Sequence, residues 1–189
     1  MRKVAFVIGI AMTAGCGGSS TPQTNEASKA STSTAAHDTT AAKPAGPIDV
    51  CGIITPADAA ALLGPLPMQP PSKTDHAGFG VDDCMYLGPA LGGEGAQTHF
   101  ARLTVQAGRS SDAADMLQGD AERRKATAPM SGVGDSAKRN EAGMFVWATK
   151  GGVSCTAEIA VGLPPSLTAD SAATGLGSLC AKVFAAVNR

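Results

Sequence analysis

The stretch MFVWATKGGVSCTAEIAV, residues 144–161, decides the fold. Residues 144–149 are rich in apolar and aromatic side chains, and Lys150-Gly151-Gly152 is a tight-turn signal. Beyond the turn, Val153, Cys155, Ala157, Ile159 and Val161 alternate with Ser154, Thr156, Glu158 and Ala160. A period of two puts the first set on one face of a strand and the second set on the other. The stretch therefore reads as an antiparallel hairpin with one face turned to a core.

The segments around it supply the rest of the domain. Ala101, Leu103, Val105 and Ala107 alternate with Arg102, Thr104 and Gln106, which is a second half-buried strand. Between the two lies a helix over 112–125, capped by Ser110 or Ser111, with Ala113, Met116 and Leu117 as its inner stripe. Short strands are predicted at 84–87 and near Ala137. Thr55-Pro56-Ala57-Asp58 starts an earlier helix: Thr as cap, Pro at the first helical position, an acid in the first turn. That helix ends at Gly64, and Pro65, Pro67, Pro70 and Pro71 interrupt regular structure beyond it. After Pro164-Pro165 a last helix runs over 168–187. Its inner stripe is Leu176, Leu179, Cys180, Val183, Phe184 and Val187, and Gly175 and Gly177 weaken its middle. The order α-β-β-α-β-β-β-α predicts an α+β domain, a mainly antiparallel sheet with helices packed on one face. No internal repeat is apparent.

The N-terminus carries a different message. Arg2 and Lys3 are a positive start, residues 4–12 are apolar without a charge, and small residues follow up to Cys16. This is the pattern of an export signal, and its apolar run is shorter than the roughly 20 residues that span a bilayer. Residues 17–47 are Ser, Thr, Ala, Gly, Pro and Lys with few others, and contain no Leu, Ile, Val or aromatic residue. Such a segment cannot bury enough apolar surface to offset its ordering entropy, so it reads as a disordered tether with a reach of roughly 30 Å. The expected organisation is a signal peptide at 1–15, Cys16 with a disordered tether at 16–47, and a globular domain at 48–189.

There are five cysteines. Setting Cys16 aside leaves Cys51, Cys84, Cys155 and Cys180, an even set that in an exported domain reads as disulfides. Three connectivities are open. Cys51–Cys84 and Cys155–Cys180 are favoured, because each would tie a helix to a nearby strand, and each would contribute roughly 3–4 kcal/mol on the chain-entropy model. The scattered spacing, without C-x-x-C, fits no zinc site.

The chain of 189 residues has a formal net charge of −1. Four basic and two acidic residues precede Ile48, which leaves 11 basic and 14 acidic residues in the domain. A mildly acidic domain argues against nucleic acid and against docking on anionic lipid by charge alone.

Two resemblances add to this reading. Thr13-Ala14-Gly15-Cys16 resembles the bacterial lipobox and departs from it at Thr13, where an aliphatic residue is usual. The resemblance implies a diacylglyceryl group on the Cys16 thiol and cleavage between Gly15 and Cys16. The domain is itself similar to a group of uncharacterised actinobacterial envelope lipoproteins. The likeness is carried by the C-x-x-x-T-x-x-D-x-x-x-L-L-G opening from Cys51 to Gly64, by Cys84-Met85-Tyr86, and by Gly132-Val133-Gly134-Asp135-Ser136-Ala137. Its layout also resembles, more distantly, the disulfide-bonded extracellular sensor domains of mycobacterial serine/threonine kinases.

Candidate chemistry is sparse. His37 lies in the tether and His99 opens a strand. His76 stands near Asp75, Asp82 and Asp83 in a Gly-rich loop, a combination that could serve acid–base chemistry or a metal but matches no ligand spacing. Ser154 is outside any G-x-S-x-G elbow. Gly132-Val133-Gly134-Asp135 reads as a turn in which Asp135 caps backbone N–H groups. Trp147, the only tryptophan, is assigned to the core ahead of an interface. The expected function is a non-catalytic, lipid-anchored envelope protein, without cofactor or metal. It faces the extracytoplasmic side, is held to the membrane through Cys16, and binds an envelope protein or a small molecule. The alternative is an envelope hydrolase or metal-binding protein using His76, Asp82 and Asp83.

Overall fold

Seven strands form a single antiparallel sheet in the order β1-β2-β3-β7-β6-β5-β4 in the computed structural model. The strands are β1 (Ser72–His76), β2 (Val81–Gly92), β3 (His99–Gly108), β4 (Ala128–Pro129), β5 (Ser136–Arg139), β6 (Phe145–Lys150) and β7 (Val153–Ala160). The helices are α1 (Val50–Ile53), α2 (Pro56–Leu63), α3 (Ser111–Arg123) and α4 (Ala169–Val187). The structure describes residues 46–67, 69–76, 78–93 and 98–189, and not the side chain of Asp75. The signal peptide, Cys16, His37 and nearly all of the tether lie outside the described residues. Among the described residues, no helix is long and apolar enough to cross a membrane.

The β6–β7 hairpin forms as its sequence predicts except at Val161, which lies beyond β7, takes a φ of 79° and is 58% exposed instead of facing the core. Lys150 pairs with Val153, and Gly151 and Gly152 both take positive φ, 56° and 77°. That is the primed turn whose twist matches antiparallel strands. Asp135 Oδ2 accepts from the Gly151 N–H at 2.9 Å, so the Gly132–Asp135 segment is a turn whose carboxylate caps the neighbouring hairpin.

The alternation in β3 and β7 sorts the two faces. Leu103, Val105 and Ala107, with Cys155, Ala157 and Ile159, are fully buried in one apolar cluster beneath α1, α2 and α4. Both cysteine pairs lie on this closed face at disulfide distance. Cys51 of α1 is 2.04 Å from Cys84 of β2, and Cys155 of β7 is 2.13 Å from Cys180 of α4.

The helix starts are local. Thr55 Oγ1 accepts from the Asp58 N–H, and Asp58 Oδ2 accepts from the Thr55 N–H at 2.7 Å, a reciprocal cap that satisfies two orphan donors. Thr168 and Ser171 do the same for α4. The glycines in the middle of α4 serve the packing. A Cβ on Gly175 would lie 2.2 Å from Leu62 Cδ2, so its absence lets α2 sit close against α4.

The α+β class and the antiparallel sheet stand as predicted. One helix departs from the one-face arrangement. The buried stripe of α3 is Ala113, Leu117 and Ala121, and it packs on the reverse face against Val81, Phe145 and Trp147. β6 explains this, because Val146 and Ala148 join the closed face while Phe145 and Trp147, at the alternate positions, give α3 an apolar seat. Three further differences are additions. α1 is a single turn, β1 is an edge strand with the polar sequence Ser72-Lys73-Thr74-Asp75-His76, and β4 is a two-residue edge strand. β2 also runs through Pro89 to Gly92, with register shifts after Leu87, where the sequence suggested only 84–87.

Candidate functional site

The acid–histidine cluster lies not in a loop but in two paired strands, Asp75 and His76 in β1 and Asp82 and Asp83 in β2, and the strands divide it. Neighbouring residues on a strand point to opposite faces, so Asp82 and Asp83 separate. Asp82 turns to the closed face and is 3% exposed. Its Oδ2 accepts from the Val50 N–H at 3.3 Å and lies 3.1 Å from Lys73 Nζ, and its Oδ1 has no partner. Hydrogen bonds from Lys73 to Asp82 and Asp49 raise the Lys73 pKa. Asp83 turns to the reverse face, where Oδ1 accepts from the Thr74 N–H at 2.8 Å and Oδ2 lies 3.2 Å from His76 Nε2. The structure thus brings His76 and Asp83 together as an edge pair and sends Asp82 to the other side of the sheet as a structural anchor for α1. Among the described residues, no group of three His, Cys, Asp or Glu side chains is arranged to hold a metal. His99 opens β3 and is exposed, and Ser154 is buried in β7.

The concave surface of the domain lies elsewhere, around the C-terminal half of α3. A cleft of about 650 Å³ opens between the end of α3, the turn after it, and the β5–β6 connection. Ala121 and Ala126 give it an apolar wall, and Arg124, Lys125, Lys138, Glu122 and Glu141 give it a charged rim. Lys125, which takes a φ of 55°, lines the cleft where the chain turns after α3. A smaller recess of about 130 Å³, lined by Gln118, Lys138 and Trp147, shares four of its residues with this cleft. Lys138 Nζ stands 5.9 Å from the Trp147 ring centroid, within range of a cation–π contact. The Trp147 indole N–H is buried without a partner. Trp147 is therefore half-buried beneath α3 and at the same time part of the wall of the recess beside the cleft.

On the other side of α3 lies a polar hollow of about 260 Å³. Its floor is the alternate set of β3 and β7: Arg102, Thr104, Gln106, Thr156 and Glu158. Register makes them contiguous, since Thr104 pairs with Glu158 and Gln106 with Thr156. Arg124 Nη2 lies 2.9 Å from each Glu158 carboxylate oxygen. Burial pushes the Glu158 pKa up, the charges of Arg124 and Arg102 oppose this, Asp120 adds to it, and the net shift is upward.

Sequence reading passed over these groups. Arg102, Thr104, Gln106, Thr156 and Glu158 look like the solvent side of two amphipathic strands, and only the placement of α3 on that side turns them into walls and a floor. A third groove, of about 360 Å³, runs between α2 and α4 past Asp58, Leu62 and Leu179. No match to the chain is found among known family models, curated proteins or solved structures.

Proposed function

We propose that the chain is a lipid-anchored envelope protein whose exported domain binds a small ligand in the cleft beside α3 and performs no catalysis. The observation that carries this reading is the cleft. Its volume, about 650 Å³, falls within the range of small-molecule sites, and its alanine wall beneath charged Glu122, Arg124, Lys125, Lys138 and Glu141 suits a small polar ligand. Its lining contains no histidine or cysteine, and the His76–Asp83 pair belongs to the opposite end of the sheet order. The anchor rests on the sequence ending in Cys16, and the two disulfide-distance pairs fit an oxidising compartment.

Trp147 is the only tryptophan and lines the recess that shares four residues with the cleft, so its emission reports on a ligand that reaches their junction. A fragment library screened by ligand-observed NMR against the full mature chain is expected to give hits that alter Trp147 emission. Those hits should be lost in Ala142→Arg, which fills the mouth of the cleft from an exposed position. Hits that bind Ala142→Arg as well as the parent would overturn the site. For the anchor, the expected finding is a diacylglyceryl mass on Cys16 at the mature N-terminus; an unmodified Cys16 would refute it.

A further inference from the structure

We propose that the polar hollow on the α3 face is a second site, for a small oxyanion held by Arg102, Arg124 and Gln106, and that this anion enters together with a proton taken up by Glu158. The proposal rests on the reading of this face as a ligand-binding surface, and it shares only Arg124 with the cleft.

The first support is the inventory of free groups. Asp120 and Glu158 are the acids of the hollow, and each already meets an arginine, Arg123 and Arg124 respectively. Arg102 makes no ion pair among the described residues. Gln106 Oε1 accepts from the Thr156 hydroxyl at 3.3 Å, and this leaves its amide N–H groups unspent. What the hollow offers a ligand is therefore a guanidinium and an amide donor, with the Thr104 hydroxyl beside them. A planar guanidinium matches a carboxylate, phosphate or sulfate oxygen pair. The volume, about 260 Å³, suits a small ion.

The second support is the placement of Glu158. It occupies the central strand β7 between Thr104 of β3 and Phe145 of β6, beside Asp120 of α3 and Arg124, the residue that follows α3. Burial already disfavours its charge. An arriving anion would draw Arg124 toward itself and add a negative charge beside the carboxylate. Both effects favour the protonated acid. By linkage, whatever makes anion binding protonate Glu158 makes protonation of Glu158 tighten anion binding. With Glu158 ionised, Arg123 and Arg124 each face an acid and Arg102 is left over; once Glu158 is neutral, the hollow gains one further positive charge.

The test is an amide-resolved NMR titration of the full mature chain with sodium oxalate and, separately, sodium sulfate. Both ions keep their charge between about pH 5.5 and about pH 8, and sodium chloride holds the ionic strength constant. The expected result is saturable shifts at Arg102, Thr104, Gln106 and Thr156, with binding that tightens as pH falls. Arg102→Ala, an exposed position, should weaken binding about tenfold or more, the order of one charge-assisted hydrogen bond. Glu158→Gln should remove the pH dependence while still binding, and Ala142→Arg should bind as the parent does. Response to oxalate alone assigns carboxylates, and response to sulfate alone assigns tetrahedral oxyanions. No shift with either ion, equal binding by Arg102→Ala, or a pH dependence that survives in Glu158→Gln would each overturn the proposal. Cleft fragments that still bind when both ions fail would show that the site reading stands without it.

Discussion

The two faces of the sheet are made by the same strands and carry opposite chemistry. On one face Leu103, Val105, Ala157 and Ile159 are sealed beneath α1, α2 and α4, and both cysteine pairs cross from strand to helix there. On the other, Thr104, Gln106, Thr156 and Glu158 stand at the alternate positions, and one helix, α3, covers only part of them. Two hollows border that helix where its cover ends. The difference teaches that one sheet can carry an apolar face sealed by three helices and a polar face that a single helix covers in part; on the proposed function, stability lies with the first and binding with the second.

Substitutions should therefore separate by face. The largest expected loss is Phe184→Ala on the closed face. Phe184 is 2% exposed, and such truncations cost about 3–5 kcal/mol, to be read from the denaturant midpoint at unchanged slope. Next is the pair Cys155→Ala with Cys180→Ala, which reopens a loop of 25 residues and is expected to cost about 3–4 kcal/mol. If either change left stability intact, the closed face would not be the stabilising one.

Asp58→Asn gives a smaller, pH-marked effect. Burial pushes the Asp58 pKa up, but its hydrogen bonds with Lys182 and Thr55 outweigh this, and it lies below the ordinary value of 3.8. A depressed acid contributes stability that is present above its unfolded pKa and is lost as pH falls through the folded one. The variant should lose about 1 kcal/mol near neutrality, on the scale of a helix cap. Its acid-unfolding curve should also be flatter below pH 3.8.

Glu158→Gln on the α3 face should show the opposite sign. Its pKa is raised above 4.5, so the parent loses stability as pH rises from 4.5 through the folded value, and the variant should not. The smallest effect is expected of Ala142→Arg, an exposed change on the cleft rim that should stay within about 0.5 kcal/mol of the parent in thermal melts. A large loss there would place the cleft in the stabilising framework and blur the division between the faces.

Much of the closed face was legible in the sequence because burial leaves a period. The alternation of Val153, Cys155, Ala157 and Ile159, the Gly151-Gly152 turn, and the Thr55 and Thr168 helix starts each carry a local physical signal. The even cysteine set pointed to disulfides, and helix-to-strand proximity favoured the pairing found. The α3 face was not legible. Its groups are polar residues on amphipathic strands, which look alike whether they face water, a helix or a hollow. The edge strand Ser72–His76 was missed for a related reason: an edge needs only one ladder and no apolar side chain, so it leaves no hydrophobic period. The Asp82-Asp83 doublet misleads as a site because adjacency in a strand means opposite faces. Sequence proximity read it as one cluster, and the pleat makes it two.

Crystals of the full mature chain soaked with a fragment library test the division of the faces most directly. The expected result is fragments seated beside α3, against Ala121, Ala126 and Lys138, with the α2–α4 groove empty. Fragments gathered in the groove past Asp58, Leu62 and Leu179, with the α3 side empty, would contradict it.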